Sequence, residues 1–121
     1  MRKLRSEKPR LTKLSRLLQR NFPDFYAEAK FQVGDDEQFL YARFGQYLAR
    51  SIESDRAPKQ KINQGFQVLN KMAEAANDDP YVRTVLVLGP LEAIVDAPRA
   101  LAYARKRLSP AAQAYLDGLK E

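Results

Sequence analysis

The side chains that could do chemistry in this sequence are carboxylates and hydroxyls. Two acidic runs stand out, Asp35-Asp36-Glu37 and Asp78-Asp79. Neighbouring carboxylates can hold a hard cation or take part in acid–base work. They are also what a helix start asks for. A carboxylate there accepts from the free N–H groups of the first turn and sits at the positive end of the helix dipole. Both runs precede helical patterns, so capping is the first reading of each, and there is no DxDxDG calcium loop. Glu92 poses a different question. It follows Leu91 and precedes Ala93-Ile94-Val95 in the most apolar stretch of the chain. A carboxylate buried there needs a partner or becomes harder to ionise. Arg43 or Arg83 is the expected partner, or a tyrosine hydroxyl. A functional carboxylate and a side chain that simply points outward are the alternatives.

Nucleophiles come without a base. Ser6, Thr12, Ser15, Ser51, Ser54, Thr84 and Ser109 have no histidine to activate them, because the 121 residues include no His and no Cys. Neither GxSxG nor SxxK occurs. The same two absences remove thiolate chemistry, disulfides and the common zinc sites. Five glycines are too few for a phosphate-cradling loop or a turn-rich β fold. The expectation is a protein that binds rather than turns over substrate, with no metal centre and no cofactor.

The formal charge is +6, but it is not spread along the chain. Residues 1–20 carry eight basic residues against Glu7 alone, a charge of +7. Residues 21–121 carry 13 basic and 14 acidic residues, a charge of −1. A nearly neutral body therefore follows a basic start. Leu11, Leu14, Leu17 and Leu18 recur at helical spacing, with Phe22 one turn on. They give that start a leucine face opposite a cationic face holding Arg10, Lys13, Arg16 and Arg20. A docked helix with a solvated basic side is the first reading. Contact with nucleic acid or an acidic protein is the second, and a membrane-surface or targeting segment the third. No apolar run is long enough for a secretory signal or a membrane span. The expected setting is the cytoplasm, with no membrane partner.

Helix punctuation positions these groups. A basic arm over residues 1–9 precedes a single helical domain over 10–121. The first helix is expected near 10–22, where Pro23 interrupts it. A short piece from Asp24 to about Phe31 follows, then a break at Gly34. The next helix runs from Glu37 to about Ser54, with Phe39, Leu40, Phe44, Tyr47, Leu48 and Ile52 on one broad face. Gly45 inside it points to close approach of a neighbouring backbone. A long helix near 58–76 presents Ile62, Phe66, Leu69, Met72, Ala73 and Ala76. Asp79-Pro80 opens another helix, because proline at the first position loses no bond there. Its stripe of Tyr81, Val85, Leu88, Leu91 and Val95 must kink at Gly89-Pro90 or split after Leu88. Pro98 opens a helix over 98–107, and Ser109-Pro110 the last, to about Leu119. No strand has a pairing candidate, and the sum is an all-α, compact irregular bundle of five to seven helices. The aromatics between Phe22 and Tyr47 are expected in its core, a single-strand stacking surface being the alternative.

One pattern goes further. Phe39-Leu40-Tyr41-Ala42-Arg43-Phe44-Gly45-Gln46-Tyr47-Leu48 is followed by a helix from Ile62 through Met72. Asn77-Asp78-Asp79-Pro80-Tyr81-Val82 comes next, then Leu91-Glu92 in an apolar helix. With Phe22-Pro23 behind a leucine-rich first helix, the chain resembles the bacterial DUF7674 type of small helical domain over about residues 10–97. It departs from that pattern at Gly89-Pro90 and in the basic arm. Such domains look like immunity proteins encoded beside polymorphic or contact-dependent toxins. The resemblance implies stoichiometric binding of a cognate toxin, with nucleic acid as the second partner class. Against a cationic toxin cleft the plugs would be Asp35, Asp36, Glu37, Asp78 and Asp79. Against an acidic surface they would be Arg10, Lys13, Arg16 and Arg20. Tyr41 and Tyr81 are the aromatic anchors such an interface favours.

Overall fold

In a computed structural model, residues 14–29, 37–54 and 58–120 are described. The basic arm at 1–9, residues 10–13 with Arg10 and Lys13, the break at Gly34 and the run Asp35-Asp36 lie outside them. The described chain is all-α. Helix α1 covers residues 14–21, α2 Pro23–Ala29, α3 Glu37–Glu53, α4 Lys59–Ala76 and α5 Pro80–Leu86. A π-helical turn, Val87–Leu91, joins α5 to α6, Glu92–Val95. Helices α7, Pro98–Arg107, and α8, Pro110–Lys120, close the bundle.

Each proline-led helix satisfies its first N–H groups in its own way. At α5 the Asp79 carboxylate accepts from Tyr81 N–H at 3.2 Å and Val82 N–H at 3.4 Å. At α8 the Ser109 hydroxyl accepts from Ala112 N–H at 3.3 Å. Helix α7 has Ala97 before its Pro98, with no acceptor side chain of its own. A residue 46 positions away supplies one: Glu53 Oε2, at the end of α3, accepts from Arg99 N–H at 2.7 Å and Ala100 N–H at 3.1 Å. Pro23 has no N–H to give, and Phe22 stands between two helices as expected. Its own N–H still reaches the Leu18 carbonyl at 2.8 Å, so α1 and α2 follow each other with little interruption.

Helix α3 is the centre of the bundle and touches α2, α4, α5, the π-turn, α6 and α7. Its buried stripe of Leu40, Tyr41, Phe44, Leu48 and Ile52 is the spine of the core. Phe22 and Phe25 meet Phe44 with ring centroids 5.1 and 5.5 Å apart. The aromatic run is therefore packing, not a stacking surface for bases. Ile62, Phe66, Leu69, Met72, Ala73 and Ala76 are all buried along α4, as their 3.6-residue spacing predicts.

Two expectations fail at the π-turn. Leu88, placed in the core stripe by its spacing, is 48% exposed. Glu92, expected to be buried and paired with Arg43 or Arg83, is exposed, as are both arginines. Leu88 lies off the stripe that is buried, and Glu92 is displaced by a slip of phase. Val82, Val85, Leu86 and Gly89 are buried in regular helical order, which would next turn residues 92–93 inward. Pro90 cannot donate to the ladder, and the wider turn around it takes up one extra residue. The inward position moves to Ile94, which is fully buried, and Glu92 faces out. Phe39 also leaves its expected core face: at 72% exposure it lies outside the stripe that Leu40 and Tyr41 fill.

Candidate functional site

The feature most suited to a partner lies where α3 crosses the π-turn. The crossing is held backbone to backbone by two glycines. A Cβ on Gly45 would stand 2.4 Å from Pro90 Cα and 3.2 Å from Ala93 Cβ. One on Gly89 would stand 3.1 Å from the Ala42 nitrogen. The close approach expected of Gly45 is thus to the π-turn itself. Side by side and running the same way, the two elements leave a shallow groove of about 390 Å3. Its floor is small: Ala42, Ala49, Gly89 and Ala93. Gln46 and Arg50 line it from α3, and Leu88, Glu92 and Asp96 from the other side. Phe39 stands one helical turn before Ala42 on α3. Among the described residues the exposed large hydrophobics are Phe39 and Leu88, and helical spacing puts Phe39 on the face of α3 that lines the groove.

The other residues singled out in the sequence fall in different places. Tyr41 is fully buried and shares a hydrogen bond of 3.2 Å with the buried Ser15 hydroxyl. It is a core residue, not a surface anchor. Asp79 is 3% exposed and its carboxylate is occupied by the α5 N-terminus, so capping is its work. Its neighbour Asp78 is exposed and Tyr81 half-buried, both at the α4–α5 turn, away from the groove lining. Glu37 begins α3. Arg16 and Arg20 are exposed one turn apart on α1. None of these described residues lines the groove. Among the described residues no group of three or more metal-ligating side chains comes together. None of their helices is long and apolar enough to cross a membrane.

Sequence reading missed the groove because its two anchors look like core. Phe39 sits beside Leu40, and Leu88 sits in an unbroken helical stripe. The signal that was present is Gly89-Pro90: a missing donor inside a helix demands a change of phase somewhere near it. Compared with known proteins, the chain matches no family model, no curated sequence and no solved structure.

Proposed function

We propose that the protein is an immunity protein that neutralises a cognate bacterial toxin by stoichiometric binding, and that the α3/π-turn groove is its docking face. One observation carries the reading. Two large apolar side chains, Phe39 and Leu88, stand exposed beside a floor of small residues whose backbone crossing leaves little room to move. Interfaces draw their energy from a few such anchors surrounded by contacts that exclude water. A rigid floor keeps the ordering cost of binding low. Glu92 and Asp96 on the wall favour a partner segment with cationic side chains around an apolar one. Arg50 across the groove offers one point of registration. The sequence supports the same class: without His or Cys, inhibition by covering a partner's cleft needs no chemistry of its own.

The test is co-purification with the product of the neighbouring gene, followed by the double variant Phe39→Glu, Leu88→Glu. Both side chains are exposed, so the thermal midpoint should hold within a few degrees. Affinity should fall by about a hundredfold or more, the loss of two anchors worth at least about 1.4 kcal/mol each. Absence of a complex at micromolar concentration would refute the immunity reading. A complex of unchanged affinity in the variant would place the interface on another face.

A further inference from the structure

A second surface, distinct from the groove, is built where three helix ends meet. Arg16 and Arg20 project one turn apart from the exposed side of α1. The Lys61 ammonium donates to the Asn21 carbonyl and lies over the Phe22 ring, 5.0 Å from its centroid. That contact fixes the first turn of α4 against the end of α1. Lys59 is exposed in the same first turn of α4. One turn further along α4, Asn63 Oδ1 accepts from Arg107 Nε at 2.7 Å. The Arg107 guanidinium lies over the Tyr103 ring, 4.3 Å from its centroid. Lys106 is exposed beside it on α7. Arg16, Arg20, Lys59, Lys61, Lys106 and Arg107 thus lie on three helices that these two contacts tie together. Asp24, one turn beyond Arg20, is an exposed carboxylate on the same stretch of chain. No salt bridge is drawn to Arg16, Arg20, Lys59 or Lys106 among the described residues.

We infer that this surface binds single-stranded nucleic acid through its phosphodiester backbone. Cations in a row track a polyanion and release its counterions. Between them the surface offers what bases use: the Arg107–Tyr103 pair, and the exposed amides of Gln60, Asn63 and Gln67 on one face of α4. An anionic membrane fits less well. Lipid insertion needs large apolar side chains among the cations, and among the described residues the exposed ones, Phe39 and Leu88, lie on the groove side.

The experiment uses the full chain and fluorescein-labelled oligonucleotides of mixed sequence: single-stranded RNA, single-stranded DNA and the DNA duplex. Phosphatidylserine vesicles serve as the competing polyanion. Anisotropy is followed against salt for the wild type and for R16Q/R20Q/K59Q/K106Q, which spares the structural contacts of Lys61 and Arg107. Saturable binding of the single strands, tighter than of the duplex and of the vesicles, is expected. The variant should bind at least tenfold more weakly. Its slope of log affinity against log salt should be shallower by up to about 2.8, from four phosphate contacts at about 0.7 each. Circular dichroism checks its fold, and R16Q/R20Q alone, with a slope change of up to about 1.4, carries the test should the quadruple variant lose helix. No saturable binding at low salt, preference for duplex or vesicles, or an unchanged slope in a folded variant would overturn the inference.

Discussion

Replacing Gly45 with alanine asks directly whether α3 and the π-turn touch through their backbones. The substitution has two opposed effects. In the middle of a helix, alanine is favoured over glycine by about 1 kcal/mol. Yet the new methyl would stand 2.4 Å from Pro90 Cα and 3.1 Å from the Pro90 carbonyl oxygen. Carbon atoms in contact prefer about 3.5–4.0 Å, so the crossing must open by more than about 1 Å. The obstacle is main chain of a proline inside a π-turn, not a side chain that can swing aside. Overpacking costs about 1–3 kcal/mol, and this geometry belongs at the upper end. The net expectation is a loss of about 2 kcal/mol, or roughly 8 °C in thermal midpoint for a domain of this size. Gly118→Ala is the internal control. It is the same chemical change in α8, with nothing within 4 Å of the added carbon, and it should stabilise by about 0.5 kcal/mol. Urea unfolding followed by circular dichroism reads both, with slopes unchanged if only stability moves. Equal or greater stability of Gly45→Ala than of the wild type would refute the backbone crossing, and with it the rigid floor of the groove.

Two further substitutions probe the helix starts. Glu53→Gln keeps an acceptor at the N-terminus of α7 but removes its charge. It should cost about 0.5–1 kcal/mol by chemical denaturation, most visibly at low salt, whereas Glu53→Ala should cost about 1–2 kcal/mol. Asp79→Ala strips the buried cap from α5 and should cost about 2 kcal/mol, while Asp79→Asn retains an oxygen acceptor and should lose less than half of that. An Asn variant as unstable as the Ala variant would mean that the charge, not the acceptor, holds the turn.

What was legible in the sequence follows from which interactions are local. Helix starts at Pro80 and Pro110 were readable because the proline and the preceding acceptor are written within four residues, and the start at Pro98 from the proline alone. The α4 core face was readable because one unbroken period sets it. Glu53 capping α7 was not, since the acceptor and its N–H groups are 46 positions apart. Nor was the burial of Tyr41, whose partner Ser15 is 26 positions away. The phase of residues 87–95 was misread for a sharper reason. Gly89-Pro90 announces a defect, but a kink, a split and a π-turn all relieve the missing donor. Only the π-turn shifts every later residue by one and takes Glu92 out of the interior, whereas Leu88, ahead of the shift, is exposed because the inward stripe runs through Val82, Val85, Leu86 and Gly89.

That shift explains why the groove is more than two stray hydrophobics. More than half of any folded surface is apolar, so an exposed leucine or phenylalanine means little alone. Here exposure has a mechanism. Pro90 forces the wider turn, Leu88 sits in it on the side away from the buried Val82, Val85, Leu86 and Gly89, and Gly45 and Gly89 then let α3 close to backbone contact beneath it. With α3 that close, Ala42, Ala49 and Ala93 are the side chains that fit between the elements, and the floor is shallow. Phe39, one turn before Ala42, extends the same face. A surface assembled this way has little freedom to repack around a visitor. Bound and free forms should therefore differ mainly in side-chain rotamers at Phe39, Leu88 and Gln46. Variation in affinity among partners should then appear in dissociation rates rather than association rates, because a preformed face leaves no conformational step for the encounter to wait on.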